Sequence, residues 1–360
     1  MPVAVIKRDY RLTGREARLA EERGLASAQW YACAIPRQRL KELMRRKDGP
    51  AIRDTLIWFA SLIIAGAVAY HAWGTWWALP AFAVYGVLYS SAADSRWHEC
   101  GHRTAFKTTW MNDVIYQVAS FMVLREPTPW RWSHTRHHTD TLIVGRDPGI
   151  AAPRPPDLAG MALDFLNLKN GAKEFGKMML HCCGRLTGEE KVYIPEMERH
   201  KVYWVSRLYA LIYGAVICWS LAIHSILPLM YIGLPSFYGA WLWVTFSLTQ
   251  HAGLAEDVLD HRLSCRTVYL NPVFRFIYWN MNHHVEHHMF PMVPYHALPA
   301  LHEEMKADTP PPYHGLWEAY GEIVPTLLRQ VKDPSYHIRR KLPDAARRPP
   351  MEMEAAMPAG

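Results

Sequence analysis

Three short stretches of the chain concentrate imidazole. They are HECGH with His98 and His102, HTRHH with His134, His137 and His138, and HVEHH with His284, His287 and His288. Imidazole is a common metal ligand, and positions i, i+3 and i+4 share a helix face about 5–6 Å apart. Each stretch can therefore turn two or three rings towards one point. With 19 histidines in 360 residues, H-x-x-H-H has a chance of (19/360)³ per start, about 0.05 occurrences over the chain, yet it is present twice. His251, in LTQHAG, is a ninth candidate, set against the plainer reading of a histidine at a helix end. Taken alone, HECGH also fits H-E-x-x-H, two zinc ligands with Glu99 as general base. Catalytic zinc takes three protein ligands and a water, so that reading leaves both H-x-x-H-H stretches unexplained. Nine imidazoles suit two iron ions with about four or five each, with open positions for O₂. Glu99 is then at most an outer partner. His71 and His224 fall too far away to take part. His296, His302, His314 and His337 read as surface or packing residues, and His261 and His283 stay unassigned.

These histidines need elements to hold them, and hydropathy shows which. No Asp, Glu, Lys or Arg occurs from Thr55 to Ala93, 39 residues, or from Leu208 to Ala255, 48 residues. A span needs roughly 20 apolar helical residues, so each run holds two spans, turned at HAWGTW and at HSILPLM. The spacing predicts spans near 55–73, 76–93, 203–226 and 229–249. Residues 1–54 form a basic segment with 13 Lys and Arg and a short helix opened by the capping-box pattern Thr13-x-x-Glu16. Hairpin 55–93 follows, then a cytosolic segment 94–202 with the first two histidine stretches. Hairpin 203–249 leads to a cytosolic segment 250–337 with the third, and 338–360 reads as a disordered tail. Within these, 111–124 is too short to cross and reads as an interfacial or re-entrant helix, 153–157 as a loop, GRDP (145–148) as a turn, and 309–315 as a Pro-rich break between helices. By the positive-inside rule the termini and all nine histidines face the cytoplasm. The net charge of +7 is carried by that asymmetry, so nucleic acid is not needed to explain it. Six cysteines form no C-x-x-C pair and are expected as free thiols.

HECGH, HTRHH and HVEHH, with membrane hairpins between them and HHMFPMVPYHALPALH after the third, resemble the membrane fatty-acid desaturase/hydroxylase superfamily over about residues 50–305. The resemblance implies an all-α integral membrane fold, four transmembrane helices in two hairpins under a cytosolic helical cap that holds a histidine-rich di-iron site. It implies His98, His102, His134, His137, His138, His284, His287 and His288 as iron ligands, with His251 as the additional one near the fourth span. The first box has three intervening residues where some members have four. The activity implied is O₂-dependent desaturation, with hydroxylation or other oxygenation, including oxidative demethylation, as the alternative. A membrane zinc metalloprotease is a distant third. No haem-binding H-P-G-G, C-x-x-C or G-x-G-x-x-G occurs, so electrons are expected from a separate ferredoxin or Rieske-type donor with its reductase. The substrate implied is a fatty acyl chain at the bilayer. WRWSHTRHHTDTLIVGRDP and NMNHHVEHHMFPMVPYHALP are most similar to a bacterial subgroup that includes the rhizopine oxygenase and dihydrorhizobitoxine desaturase, which implies the inner membrane and a small metabolite as the other substrate class. Trp130, Arg131 and Trp132 are candidates for the substrate or cap surface, against an ordinary place in the interfacial belt.

Overall fold

The computed structural model describes residues 8–26 and 28–343. The expected disordered tail lies outside the described residues from 344 onward. Among the described residues there is no strand, only isolated bridges from Thr267 to His283 and from Val268 to Tyr313. The fold is all-α.

The chain opens with α1 (Arg15–Glu22) and α2 (Arg37–Leu43). The Thr13/Glu16 capping box does not form. Gly14 is the N-cap, its N–H closing a turn on Arg11 O, which leaves Thr13 one residue too early to cap. α3 (Asp48–Ala72) follows. Its 25 residues, at 1.5 Å each, make a rod of about 37 Å, longer than a hydrocarbon core of about 30 Å. Only 22% of its most apolar window is buried, and Leu56, Ile57, Ile63, Ile64 and Val68 are exposed. A core helix of a soluble protein would hide these side chains; lipid accepts them. Trp76 and Trp77 stand out at the turn, where interfacial aromatics belong.

The return rod is α4 (Ala78–Gly86), a π-turn at Val87–Ser91, and α5 (Ala92–Gly101). Next come α6 (Thr109–Met122), α7 (Pro127–Thr139), α8 (Leu158–Asp164), α9 (Leu168–Cys182) and α10 (Glu190–Tyr193). α6 occupies the segment expected at the interface and exposes Trp110, Val114 and Val118 on one stripe. α11 (Arg199–Ala222) is the second long apolar helix, its best window 28% buried. The expected span 229–249 is not one helix but α12 (Leu227–Tyr231), α13 (Pro235–Tyr238) and α14 (Trp241–His251). Pro228, Gly233 at φ +98°, Pro235 and Gly239 follow too closely for an unbroken ladder. Among the described residues, two helices are thus long and apolar enough to cross unaided. α15 (His261–Ser264), α16 (Pro272–Ile277), α17 (His284–Met289), α18 (Leu298–Met305) and α19 (Leu316–Lys332) complete the chain.

The broken segment is fixed to the return rod at a contact only glycine permits. A Cβ on Gly239 would lie 1.9 Å from Gly86 O, and one on Gly86 2.3 Å from the Tyr238 ring. The Ser91 hydroxyl donates to Gly239 O at 2.7 Å and accepts from the Trp243 N–H at 2.9 Å. Such close crossings supply much of helix association in lipid. We predict that Gly239→Ala separates these segments and abolishes recovery of monodisperse protein from detergent extracts. A native size-exclusion profile for that variant would show the crossing to be dispensable.

Candidate metal centre

Four helix segments deliver the nine histidines. His98 and His102 lie at the end of α5, His134, His137 and His138 on α7, His251 at the end of α14, and His284, His287 and His288 on α17. The structure brings them together as two adjoining groups. In the first, His98, His102, His134, His138 and His287 place one ring nitrogen each within 4.8 Å of the others. His134 Nε2 is 3.0 Å from His102 Nε2 and 3.1 Å from His138 Nε2, which is 3.1 Å from His287 Nε2. In the second, His137, His251 and His288 cluster, and His284 Nε2 lies 3.0 Å from both His251 Nε2 and His288 Nε2.

The tautomers of three rings follow from their partners. His137 Nδ1 lies 2.8 Å from Asp147 Oδ2, a pure acceptor, so it carries the proton. His251 Nδ1 donates to Ser264 O at 2.8 Å. The Thr141 hydroxyl donates to His137 O at 2.7 Å, so at 3.0 Å it accepts from His288 Nδ1. Each ring is left with a bare Nε2 lone pair aimed at its group, the arrangement of a metal-bound histidine with its outer partner. Burial, reinforced by neighbouring imidazoles, holds His134, His138, His284, His287 and His288 well below the ordinary histidine range, hence neutral and able to ligate. Nitrogens that ligate one metal at about 2.1 Å lie within about 4.2 Å of each other. The observed 3.0–3.1 Å spacings fall inside that limit, and the donor set fits two metal ions.

The supporting residues were largely invisible in the sequence. Asp147 was legible only as part of a turn. It is in a turn, but its buried carboxylate also takes N–H groups from Leu142 at 2.8 Å and Gly149 at 2.6 Å while holding His137. A Cβ on Gly149 would stand 2.9 Å from His137 Nδ1, so this glycine leaves room for the pair. Under the start of α7, His181 lies between Glu126 and Glu190. Its burial works against protonation, but the two carboxylates more than offset this and raise it to about 9. Arg125 pairs with Asp94 and lies 4.5–4.8 Å from the centroids of Trp97, Trp130 and Trp243, joining α5, α7 and α14. Glu99 faces Thr104 Oγ1 at 2.7 Å and the Tyr295 N–H at 3.0 Å and belongs to neither histidine group. A zinc-protease base would face the metal.

A cleft of about 490 Å³ opens beside the second group. Trp130, Trp243, Val244 and Leu248 supply apolar wall, and Lys169, Lys173, Glu174 and Glu190 supply charge. Gly149 brings the cleft up to His137, and Ile150, Ala151, Ser247 and Leu248 are shared with a small cavity that touches His251. Of the three residues flagged beside the second box, Trp130 lines this cleft and donates to Glu174 at 3.1 Å. Arg131 covers the Tyr116 ring, and Trp132 packs against Leu186, Ile194 and Val202.

An α-helical membrane protein with clustered histidines beside an open cleft suits an oxidoreductase. A profile of the fatty acid desaturase family matches residues 74–320, and the chain belongs to that family. It is similar to a delta(12)-acyl-lipid desaturase of Punica granatum, 25% identical over 72% of this chain and 74% of the relative. It is 24% identical to an endoplasmic-reticulum omega-6 fatty acid desaturase of Glycine max over 74% of this chain and 78% of that protein. A sn-1 oleoyl-lipid 12-desaturase of Synechocystis is 31% identical over 30% of each chain. The protein is an oxidoreductase of the membrane desaturase family.

Proposed function

We propose that the chain is an O₂-dependent di-iron desaturase of a fatty acyl chain, its iron held by His98, His102, His134, His138 and His287 in one group and by His137, His251, His284 and His288 in the other. The observation that carries this is the gathering of nine ring nitrogens into two adjoining groups, with Nε2 atoms 3.0–3.1 Å apart in each. A single catalytic zinc takes three protein ligands and would leave most of the nine without a metal. Two ferrous ions supply O₂ activation and the removal of hydrogen from an unactivated C–H bond.

The protein's part is to position and to exclude water. Trp130 and Trp243 hold the chain against Leu248, and Gly149 and Ala151 leave space for it to approach His137 and His251. Lys169 and Lys173 at the mouth meet a carboxylate or phosphate head. Asp147, Ser264 and Thr141 keep three ligating rings in one tautomer throughout. The long rods α3 and α11 and the interrupted segments 78–101 and 227–251 form four passages, with the histidines and both termini on the cytoplasmic side of a bacterial inner membrane. Electrons come from a separate ferredoxin or Rieske-type donor.

One observation favours a second reading. Glu174, Lys177 and Glu190 place fixed charge deep in the cleft wall, which suits oxygenation or desaturation of a small polar metabolite. Co-expression with a ferredoxin and its reductase, beside a His137→Ala control, tests both readings by mass spectrometry of acyl chains and soluble metabolites. New unsaturated acyl chains absent from the control are the expected result. Change confined to soluble metabolites would favour the second reading, and protein purified with zinc in place of iron would overturn both.

A further inference from the structure

The proposed reaction consumes electrons that this chain must conduct inward, and one line of aromatic rings leads from the surface to both histidine groups. Trp30 is half-buried beside the exposed Gln29. Its indole lies flat on the buried His261 ring, centroids 4.3 Å apart and planes 8° from parallel. His261 is 5.4 Å from the His288 ring of the second group. His288 in turn stacks on His138 of the first group at 4.2 Å and 18°. The four rings form a chain with centroids 4.2–5.4 Å apart at each step.

The backbone around Trp30 is pinned to the segment that carries His261 and to the end of α17. The Tyr31 N–H donates to Leu259 O at 2.9 Å, the Cys33 N–H to Met289 Sδ at 3.1 Å, and the Tyr31 ring lies 3.5 Å from the Arg262 guanidinium carbon. A stretch that merely covered the surface would need no stacked ring at this point. Hydrogen bonding does not account for the placement of His261 either: its Nδ1 lies 4.0 Å from Cys265 Sγ, a weak contact.

We propose that Trp30 is the port through which electrons enter, and that His261 relays them to His288 and so to the iron of the second group, and through the His288–His138 stack to the iron of the first. This rests on the di-iron reading above. Tunnelling weakens steeply with each gap between orbitals, so van der Waals contact from ring to ring gives the best-coupled route. In each step a reduced one-electron carrier of the iron–sulfur class loses one electron and one ferric ion becomes ferrous. Two such steps reduce the pair, and no bond or proton moves along the rings. Trp30 and His261 are positioning residues for this transfer and touch neither substrate nor O₂.

The test is anaerobic stopped-flow reduction of full-length, iron-loaded diferric protein in detergent, followed by its near-ultraviolet absorbance. Two reductants are compared, a reduced plant-type ferredoxin and the methyl viologen radical. For Trp30→Ala, ferredoxin-driven reduction is expected to slow by an order of magnitude or more while viologen-driven reduction and iron content stay native. Trp30→Phe, which keeps a ring in the stack, restores much of the rate. An unchanged ferredoxin rate in Trp30→Ala would overturn the proposal and direct attention to the half-buried His102 and His134 as the way in. Equal slowing with both reductants, or failure of Trp30→Phe to rescue, would also overturn it, since the indole would then serve only structure. Native protein without reducible iron refutes the di-iron reading itself, an outcome distinct from either.

Discussion

On the proposed di-iron reading, His284→Ala and His287→Ala proteins are expected to bind about one iron per chain in place of two and to lose detectable desaturation, with a different ion lost in each. The two residues are neighbours on α17, yet His287 Nε2 meets His138 of the first group whereas His284 Nε2 meets His251 and His288 of the second. Removing one ligand leaves the opposite group's nitrogens in place. Iron analysis with Mössbauer spectroscopy of each variant would show two different residual sites. Identical residual spectra would mean that the nine histidines form one shared site, contrary to the division described here. On the di-iron reading proposed above, turnover needs both ions, so a half-filled centre would retain no partial activity.

Asp147→Asn is expected to weaken iron affinity about 10–100-fold, the usual consequence of losing an outer partner of a ligating histidine. The side chain would keep its shape but not its chemistry. Asp147 accepts three N–H groups, from His137, Leu142 and Gly149. An asparagine amide presents an NH₂ to one of them, so a donor meets a donor at a buried position, and the negative charge beside the His137 imidazole is gone. Thr141→Val removes a neutral acceptor from His288 and a donor to His137 O, with no charge lost, and should cost less. Iron retention against a graded chelator series measures both. An Asp147→Asn protein that holds its iron as the native one does would show that His137 keeps its orientation by packing alone.

Much of this was readable along the chain. Ligand type and number are properties of composition and local spacing, and charge-free runs of 39 and 48 residues leave few alternatives to a membrane. What could not be read has particular causes. The interruption of the fourth passage comes from Pro228, Gly233, Pro235 and Gly239, each tolerable in a membrane helix by itself, so hydropathy passes over them. The Thr13/Glu16 capping box failed because the turn closed by Gly14 consumes the residue that would cap. His261, without cluster spacing of its own, gained significance only from Trp30, 231 positions away in the chain.

The sequence by itself determined which imidazoles lie close together: nine histidines on short helical stretches next to apolar runs, because i, i+3 and i+4 spacing is local geometry. The tertiary structure decided how the set divides. With about 100° of rotation per residue, His134 and His138 stay within about 40° of each other while His137 turns away, and on α17 His287 turns away from His284 and His288 in the same manner. Only when α7 and α17 pack face to face does each helix give two rings to one metal group and one to the other. That division depends on the relative placement of two helices about 150 residues apart in the chain, a quantity no local pattern contains.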